Sequence, residues 1–473
     1  METVGVLVVS YGAREAAMVD VLARSQKYNV ELYIVDKQFN PFNVEHAVEH
    51  VVSPSLDVLD IFKFARGRRD KLDFVVVGSE KPIIDGLRDL VEGELGIPVV
   101  CPKREFAIEE SKVRQRLLFE EIAPDANPRF MVFDPKNYDG DRSKVRVDVY
   151  RWLDELGNQV VVKPDRPSAG KGVGVWGDHF VSRDELFEFF MSSFEFGAVI
   201  IEEKVDGEES SCMAFCDGRH FIPLPDTRDY KRAFDGDVGP NTGGMGSYKD
   251  VGNRLPFLTV IEHERAIGLA RRVFDGWNKQ ICDVSALRGV PLYLAFMHTG
   301  SGIKILEINS RPGDPESINL FPLIRDDFVD VCFKMIEGNL FGVDLDVSAS
   351  VLTYKVPADY GGYMDAFPGR VSKLDMGTPV DFTEVYRLAK RFGDRLRVYP
   401  GSMELRGGYS YALKSRAVGV LGIGDSLEEA RVLSQEGAMV ISGGGLWNRV
   451  DIASAEHIAR SVRHMECLRG SRV

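Results

Sequence analysis

Short apolar runs alternate with segments of helical periodicity over the first hundred residues. The apolar runs predict strands over residues 4–9, 31–35, 74–77 and 97–100, and the intervening segments predict helices from residue 14 and near residues 56–65 and 85–95. Strands separated by single helices form βαβ units, so we expect an α/β unit with a parallel sheet. Ligands of such sheets bind beyond the carboxyl ends of the strands.

A second pattern begins near residue 104 and a third near residue 341. The second predicts a helix over 109–120, a polar loop and linker over 124–149, a helix over 149–156, mixed strands and helices from 160 to about 309, and a helix over 328–336. The third predicts an α+β unit with strands over 350–355, 396–400 and 417–423 and helices over 426–436 and 454–465. We therefore predict three domains, over 1–103, 104–340 and 341–473, a number that suits a chain of 473 residues.

The composition is that of a soluble globular protein, with 44% hydrophobic and 28% charged residues. Lys and Arg number 59 and Asp and Glu number 72, and the resulting net charge of −13 argues against a protein that binds nucleic acid. No apolar stretch reaches the length of a membrane span and the first residues lack a secretory pattern, so we expect a cytoplasmic protein without a membrane partner. The six scattered cysteines favour core thiols over a metal or redox site.

The loop after the first predicted strand carries a single glycine, Gly12, before a helix. A dinucleotide-binding loop needs three glycines at fixed spacing, so a nicotinamide cofactor is disfavoured. Gly12 and the following Arg14 still suit one phosphate group at the start of a helix. The alternative is that Gly12 only turns the chain.

A buried strand that ends at Lys163 is joined by the small residues around 168–172 to a second strand. Small residues let backbone N–H groups approach phosphate oxygens, and Lys163 and Lys171 add positive charge. The spacing differs from that of a Walker loop, and a strand rather than a helix follows. The segment is therefore predicted to fold over the phosphates of a nucleotide, with an ordinary hairpin turn as the alternative.

An apolar strand that starts at residue 199 runs directly into acidic residues. Backbone groups at the end of such a strand can bind an adenine base, and a carboxylate such as Glu209 can accept hydrogen bonds from ribose hydroxyls. Taken alone, the segment also fits an acidic surface loop.

Three residues of different chemistry share one face of a predicted strand: Glu307, Asn309 and Arg311. They share a face because side chains alternate along a strand with a period of two. Two oxygen donors on one face suit Mg²⁺, which binds a few side chains together with the phosphates of a substrate. An arginine further along the same face can clamp a phosphoryl group during its transfer.

A glycine-rich run extends from residue 236 to residue 246 and contains five glycines. Ordering so many glycines costs backbone entropy, so a mere connector of this composition would be unfavourable. We interpret the run as a loop shaped around a small substrate.

Together these segments resemble the ATP-grasp superfamily and, within it, the phosphoribosylamine–glycine ligase family, also called glycinamide ribonucleotide synthetases. The resemblance extends over nearly the whole chain in the same order. Its most specific motifs are Gly-Pro-Asn-Thr-Gly-Gly-Met-Gly over 239–246 and Gly-Asp-Pro-Glu over 313–316. The resemblance implies an ATP-grasp fold with a mobile lid over about 128–200, preceded by a Rossmann-like parallel α/β domain and followed by a small α+β domain.

The resemblance also implies an activity in purine biosynthesis: ATP drives the ligation of glycine to 5-phosphoribosylamine through glycyl phosphate. It implies Mg²⁺ or Mn²⁺ as the metal. A monomer or small homo-oligomer is expected. By this resemblance the expected catalytic residues are Arg311, Lys171 and Asp314, and the expected metal ligands are Glu307 and Asn309. ATP is expected to bind Lys112, Lys163, Ser168, Ala169, Gly170, Lys171, Gly172, Glu202, Glu203, Val205 and Glu209. The other two substrates are expected to bind Gly12, Arg14, Glu80, Thr242, Gly243, Gly244, Met245 and Asp314.

The chain departs from the family pattern chiefly in the loops expected to bind the amine. Ala16 stands where histidine is usual, and Ser79 and Lys81 replace proline and alanine in the loop after the third predicted strand. Pro312 stands where phenylalanine is usual. Lys81 either adds a phosphate contact or lies on the solvated surface. These changes leave open a related ATP-grasp ligase that uses another amine or carboxylate, and a regulatory protein that binds ATP without turnover.

Overall fold

The computed structural model describes residues 1–165, 172–279, 283–362 and 372–470. Its amino-terminal part is a five-stranded parallel sheet, which confirms the predicted alternation of strands and helices. In spatial order the strands are Glu49–Val52, Tyr28–Asp36, Glu2–Ser10, Phe74–Val77 and Val99–Val100. The helices of this part are Ala13–Ala23, Pro41–His46, Val58–Arg66, Glu80–Ile84 and Leu87–Leu95.

The central strand Glu2–Ser10 determines where a ligand can approach this sheet. It pairs with Tyr28–Asp36 on one side and with Phe74–Val77 on the other, so the order of the strands reverses beside it. The carboxyl ends of adjacent parallel strands lie at one edge of a sheet. The turn that contains Gly12 and the helix that begins at Glu80 therefore lie at the same edge.

A second sheet has four antiparallel strands, in the order Phe130–Phe133, Val199–Glu203, Val160–Pro164 and Gly174–Val175. The helices Arg142–Leu156 and Arg183–Phe194 pack on it. The predicted polar loop and linker over 124–149 is therefore wrong, because it contains a strand and the first half of a helix. The helix begins early because the Asp141 side chain caps its first turn, and Val145 and Val149 bury its apolar face. Whether residues 128–200 move as a lid stays a prediction.

A third sheet carries the strand on which Glu307 was predicted to lie. Its four antiparallel strands are, in order, Phe221–Pro223, Gly207–Cys216, Gly289–Thr299 and Gly302–Asn309. The helices Lys112–Ile122 and Val260–Asn278 pack against this sheet, and Phe119, Phe274 and Phe296 lie in their common core.

The carboxyl-terminal part is built on a larger sheet, with the helices Thr383–Phe392, Leu427–Met439 and Ala455–Gly470. Its strands are Arg228–Asp229, Gly246–Lys249, Ala349–Pro357, Val418–Gly424 and Leu396–Pro400, and Leu446–Trp447 also pairs with Ala349–Pro357. Strands from both sides of residue 340 thus share one sheet. The glycine-rich run is thereby connected to the third predicted unit, and the exact domain limits stay predictions.

Two hairpins and two helices complete the described strands and α-helices. The hairpins pair Arg232–Phe234 with Val238–Asn241 and Met403–Arg406 with Tyr409–Ala412, and the helices are Glu316–Leu320 and Phe328–Glu337. In the part of the chain that the structure describes, no helix combines the length and the apolar character needed to cross a membrane.

Glu262 connects the start of the helix Val260–Asn278 to the end of the chain. Its carboxylate accepts a hydrogen bond from the Thr259 backbone N–H at 2.9 Å and lies 2.7 Å from Arg469 Nη2. Burial opposes ionisation, but the hydrogen bonds from Arg469 and Thr259 outweigh it and lower the pKa of Glu262 to about 2. The carboxylate therefore stabilises the fold only while it is ionised.

We expect the Glu262→Gln substitution to lower the free energy of unfolding by about 1–2 kcal/mol at pH 7. Because the folded pKa is depressed, this stabilisation is complete above the ordinary pKa of 4.5 and is lost as the pH falls through about 2. Urea unfolding at pH 7 and at pH 3 measures the difference. The exposed Glu264→Gln variant is the control, and an equal loss at both pH values would contradict the assignment.

Candidate active site

Glu307 and Asn309 lie on the same face of the strand Gly302–Asn309, as predicted. Ile308 between them is fully buried on the opposite face. The pairing with the neighbouring strand shifts register beside Glu307, because Ala295 pairs with Glu307 while Phe296 pairs with Ile305. Such a bulge changes the direction of nearby side chains and is common at active sites.

Four cationic side chains surround Glu307, and we refer to them as the cation cluster: Lys112, Lys163, Lys231 and Arg311. Burial raises the pKa of Glu307, but the positive charges of the cation cluster outweigh it and hold the pKa below the usual value of glutamate. Within the described residues, neither Glu307 nor Asn309 accepts a hydrogen bond through its side chain. Both therefore present oxygen atoms that are open to a further ligand.

Lys163 is held by a buried ion pair that the sequence did not predict. Glu202 contacts Lys163 with one carboxylate oxygen and Arg116 with the other, at 2.8 Å. Arg116 also donates to the carbonyl oxygens of Ile305 and Leu306, at 2.9 and 2.8 Å. Glu202, an expected ATP contact, thus has both of its oxygens occupied, and it positions Lys163 beside the strand that carries Glu307.

Lys112 is the first residue of the helix Lys112–Ile122, and the end of the Lys163 strand anchors this helix. The Asp165 carboxylate accepts hydrogen bonds from Ser111 Oγ and from the Val113 N–H, both at 2.8 Å. Burial lowers the pKa of Lys112, and the negative charge of Glu307 opposes that shift. The two predicted phosphate contacts, Lys112 and Lys163, are therefore brought together beside Glu307.

Lys231 joins this group from the other side, although the prediction did not include it. Its ammonium lies 2.8 Å from Glu209 Oε2, so the carboxylate expected to bind a ribose is paired with a lysine. Burial lowers the pKa of Lys231, but Glu209, Glu307 and Asp229 outweigh it and raise the pKa. The only signal in the sequence was the position of Lys231 just before the glycine-rich run.

The expected adenine contacts lie where the strand Val199–Glu203 ends. The Glu203 side chain accepts a hydrogen bond from the Arg129 N–H at 3.1 Å and lies 3.8 Å from Lys304 Nζ. The backbone N–H of Val205 donates no hydrogen bond to any other described residue. That N–H is a free donor at the position expected for the base. Ser168, Ala169, Gly170 and Lys171 lie outside the described residues, whereas Gly172 is the first residue after that gap.

Asp314 and the glycine-rich run meet through Arg416, which comes from the carboxyl-terminal part of the chain. Arg416 Nη2 lies 3.0 Å from Asp314 Oδ2, and its Nη1 donates to the carbonyl oxygen of Gly243. Tyr354 donates to the other oxygen of Asp314 at 2.6 Å. Desolvation opposes the charge on Arg416, but Asp314 and nearby groups raise its pKa. Sequence reasoning missed Arg416 because it lies more than a hundred residues from Asp314.

Gly244 and its neighbours give the glycine-rich run its shape. Gly244 has a φ of +106°, and a Cβ atom there would lie 2.6 Å from Asp229 Oδ1 and 2.7 Å from Pro315 Cδ, so only glycine fits. Thr242 Oγ1 accepts a hydrogen bond from the Gly244 N–H at 2.9 Å. Met245 is fully buried in a core cluster. Of the four expected contacts in this run, Met245 therefore has a packing role in the structure.

Gly12 and Arg14 form hydrogen bonds to other residues inside the protein. The Gly12 N–H donates to Glu15 at 3.0 Å, and Arg14, which is only 2% exposed, donates to Glu15 and to the Pro312 carbonyl oxygen at 2.9 Å. Arg14 thereby connects the amino-terminal sheet to the segment that precedes Asp314.

Glu80 lies beside this connection and faces the cation cluster. Its carboxylate is 3.6 Å from Arg311 Nε, and burial opposes ionisation while Arg311 and Arg14 lower its pKa. Burial raises the pKa of the nearby Tyr11, the positive charge of Arg416 opposes this increase, and Glu80 and Asp314 add to it. The expected residues of the amino-terminal sheet, the glycine-rich run and the Glu307 strand therefore lie around one region.

Comparisons with known proteins agree with this geometry. Residues 4–110 match the family model described as phosphoribosylglycinamide synthetase, N domain, and residues 143–317 match phosphoribosylglycinamide synthetase, ATP-grasp (A) domain. A phosphoribosylamine–glycine ligase of Methanocella arvoryzae is 35% identical over 472 residues, which cover 98% of this chain and 100% of that protein.

Two solved structures have the same overall fold. A phosphoribosylamine–glycine ligase from Thermotoga maritima aligns with a TM-score of 0.71 and 25% identity, over 95% of this chain and 100% of that one. An N5-carboxyaminoimidazole synthetase from Staphylococcus aureus aligns with a TM-score of 0.58 and 12% identity, over 92% of this chain and 97% of that one, and at that identity shows the fold alone. The predicted ATP-grasp fold behind a parallel α/β unit is thus confirmed, and the chain belongs to the phosphoribosylglycinamide synthetase family.

Proposed function

We propose that this chain is an ADP-forming ligase that joins glycine to 5-phosphoribosylamine and yields glycinamide ribonucleotide, a step of purine biosynthesis. The observation that carries the proposal is the convergence of the cation cluster on Glu307. A polyphosphate needs such a concentration of positive charge in a chain whose net charge is −13. Relatives in the family are named phosphoribosylamine–glycine ligases, which supports glycine and phosphoribosylamine as the substrates.

The proposed reaction has two steps, because a carboxylate is a poor acyl donor until it is phosphorylated. A glycine carboxylate oxygen attacks the γ-phosphorus of ATP, which gives glycyl phosphate and ADP. The amine of phosphoribosylamine then attacks the carbonyl carbon and phosphate leaves. Phosphoryl transfer depends mainly on positioning and charge neutralisation. In this proposal Lys112, Lys163 and Lys231 neutralise the phosphates, and Arg311 stabilises the group in transfer.

The donor set at Glu307 fits a divalent cation. Glu307 is held ionised, and Asn309 presents a second open oxygen on the same face. Within the described residues no group of three or more His, Cys, Asp or Glu side chains forms a complete metal site. Two protein oxygens with the remaining positions left to phosphates is the usual arrangement for Mg²⁺. We therefore propose Glu307 and Asn309 as ligands of Mg²⁺ or Mn²⁺, which would neutralise phosphate charge when bound.

The remaining expected residues divide between the other substrates. We propose that Asp314 and the Thr242–Gly244 segment contact glycine, since Arg416 fixes both around one point. Glu80 is the proposed contact of the amine, because it begins a helix at the ligand-binding edge of the amino-terminal sheet and its carboxylate lies 3.6 Å from Arg311 Nε. A covering role of the 168–172 loop, including a catalytic role of Lys171, stays a prediction.

The location and assembly belong to the same proposal: a cytoplasmic protein that acts as a monomer or small homo-oligomer. The buried thiols of Cys101, Cys212, Cys216 and Cys332, which form no disulfides, suit a reducing compartment.

The decisive experiment measures ADP release in the presence of ATP, Mg²⁺, glycine and freshly generated phosphoribosylamine, with each omitted in turn. We expect full release only from the complete mixture. Release that requires another carboxylate or amine would point to a different ligase of this fold. ATP binding without turnover in any mixture would contradict a catalytic function.

A substitution of Lys81 tests whether this residue contacts phosphoribosylamine. Its ammonium pairs with Asp85 one turn along the helix, and the side chain is about half exposed. We therefore expect Lys81→Ala to leave the KM for phosphoribosylamine within about twofold, as for other surface ion pairs. Steady-state kinetics measure it, with exposed Lys63→Ala as the control. A rise of about tenfold, equivalent to about 1.4 kcal/mol, would instead indicate a contact with the substrate phosphate.

A further inference from the structure

Two carboxyl groups, those of the partly buried Asp229 and the buried Glu316, lie beneath the glycine-rich run. Glu316 is 1% exposed and accepts a hydrogen bond from the Tyr293 hydroxyl. Asp229 Oδ1 is buried and accepts no hydrogen bond from any described residue. The closeness of Gly244 to this oxygen places it directly against the loop that the proposed function assigns to glycine.

Asp229 lies between the two halves of the proposed site. The charged groups that face it are Glu316 from the helix Glu316–Leu320, Lys231 two residues further along its own segment, Arg416 from the carboxyl-terminal part and Glu209 from the strand Gly207–Cys216. Lys231 belongs to the cation cluster around Glu307, whereas Arg416 holds Asp314. A carboxyl group in this position is near both the phosphates and the acyl carbon of the proposed intermediate.

Asp314 and Glu80 are less suited to accept a proton. Asp314 has both oxygens engaged, by Tyr354 and Arg416. Glu80 has its pKa lowered by cationic neighbours, although burial opposes this shift. Burial and the negative charge of Glu316 instead raise the pKa of Asp229, and Lys231 and Arg416 oppose that increase. A carboxylate with a raised pKa and an open oxygen is a stronger base near neutral pH.

We propose that Asp229 is the base that accepts the proton released when the amine attacks glycyl phosphate. This inference rests on the proposed function. The nitrogen lone pair forms the new C–N bond, and the C–O bond to phosphate breaks with its electron pair remaining on the phosphate. The proton then passes from the nitrogen to Asp229 Oδ1, and the amide is left neutral. Asp229 therefore acts in the second step and not in the phosphorylation of glycine.

The two steps can be measured separately with hydroxylamine as a second nucleophile. Hydroxylamine is largely unprotonated at neutral pH and traps acyl phosphates as hydroxamates without a basic residue. We expect Asp229→Asn to lower the rate with phosphoribosylamine by about 100-fold or more, the usual contribution of a general base. Formation of glycine hydroxamate from ATP, glycine and hydroxylamine should change by no more than about threefold.

Asp226→Asn is a matched control, because Asp226 is buried, also has an open Oδ1 and pairs with His263 instead. We expect it to leave both rates unchanged. A parallel loss of both rates in Asp229→Asn, or a raised glycine KM, would overturn the proposal and assign Asp229 to the binding of glycine. Failure of the unaltered protein in both assays would instead refute the proposed function.

Glu316→Gln provides a second test if Asp229→Asn does not fold. It removes the negative neighbour of Asp229 and keeps the oxygen that accepts from Tyr293. Asp229 then ionises at lower pH, so we expect the acid limb of the amine-dependent pH profile to move to lower pH. The hydroxamate profile should stay in place. An unmoved acid limb in the amine reaction would contradict the role of Asp229.

Discussion

Glu307→Gln is expected to lower turnover of ATP by about 100-fold or more while the fold is retained. The substitution keeps the shape of the side chain but removes the negative charge on which the four cations of the cluster converge. A neutral amide is a weak ligand for a divalent cation, so the phosphates would lose much of their charge compensation. ADP release at saturating ATP, glycine and phosphoribosylamine measures the loss, and far-ultraviolet circular dichroism verifies the fold.

If Glu307 is a metal ligand, the Glu307→Gln variant should also need more Mg²⁺. The Mg²⁺ concentration required for half-maximal residual activity should rise, because one of the two proposed protein ligands is weakened. The exposed Glu428→Gln variant, which changes charge equally but lies on the carboxyl-terminal part, should behave like the unaltered protein. Full activity of Glu307→Gln at unchanged Mg²⁺ would remove Glu307 from the metal site.

The prediction of the fold succeeded where neighbouring residues alone determine the structure. The strand Phe74–Val77 agrees with its predicted limits because it is a continuous apolar run. The strand Leu396–Pro400 also agrees, because apolar residues flank its single charged residue, Arg397. The strand Arg228–Asp229 could not be predicted, since it has two polar residues and exists only through pairing with Gly246–Lys249. The sheet shared across residue 340 depends on a similar pairing between distant segments. Patterns within a short window contain no information about such partners.

In the candidate site, too, features that depend on residues close in sequence were predicted, and contacts between distant residues were not. Glu307 and Asn309 were predictable because the period of a strand fixes their common face. The prediction that Arg311 shares this strand face is wrong, because the strand ends at Asn309, although Arg311 still lies near Glu307. Arg116 and Arg416 were not, because their roles come from Glu202, 86 residues away, and from Asp314, 102 residues away. The sequence therefore indicated more of the proposed substrate contacts than of the residues that hold those contacts in place.

Ala16 shows how packing explains one departure from the family pattern. It is fully buried in a core cluster that also contains Met245 and Tyr354. The position where histidine is usual is thus occupied by a small side chain inside the protein. Because Tyr354 binds Asp314, this core supports the glycine half of the proposed site from the amino-terminal sheet.

Arg311→Met is expected to lower kcat by about 100–1000-fold, with a smaller change in the KM for ATP. Arg311 is the member of the cation cluster that faces both Glu307 and the amino-terminal Glu80. In the proposed function it lies where negative charge accumulates as the phosphoryl group moves from ATP to glycine. An interaction that strengthens in the transition state affects kcat, whereas uniform binding affects KM alone. Steady-state kinetics with varied ATP separate the two.

Arg311→Lys distinguishes charge from geometry in this role. A lysine keeps the positive charge but lacks the planar guanidinium that binds two oxygens at once, so we expect kcat between those of Arg311→Met and the unaltered protein. Arg325→Met, which removes an exposed arginine paired with Asp346, is the matched control. If Arg311→Met raised the KM for ATP and left kcat unchanged, Arg311 would bind the nucleotide without acting on the transferred group. Another member of the cation cluster would then have to stabilise the phosphoryl group during its transfer. Lys231, which lies between Glu307 and Asp229, would be the next residue to replace.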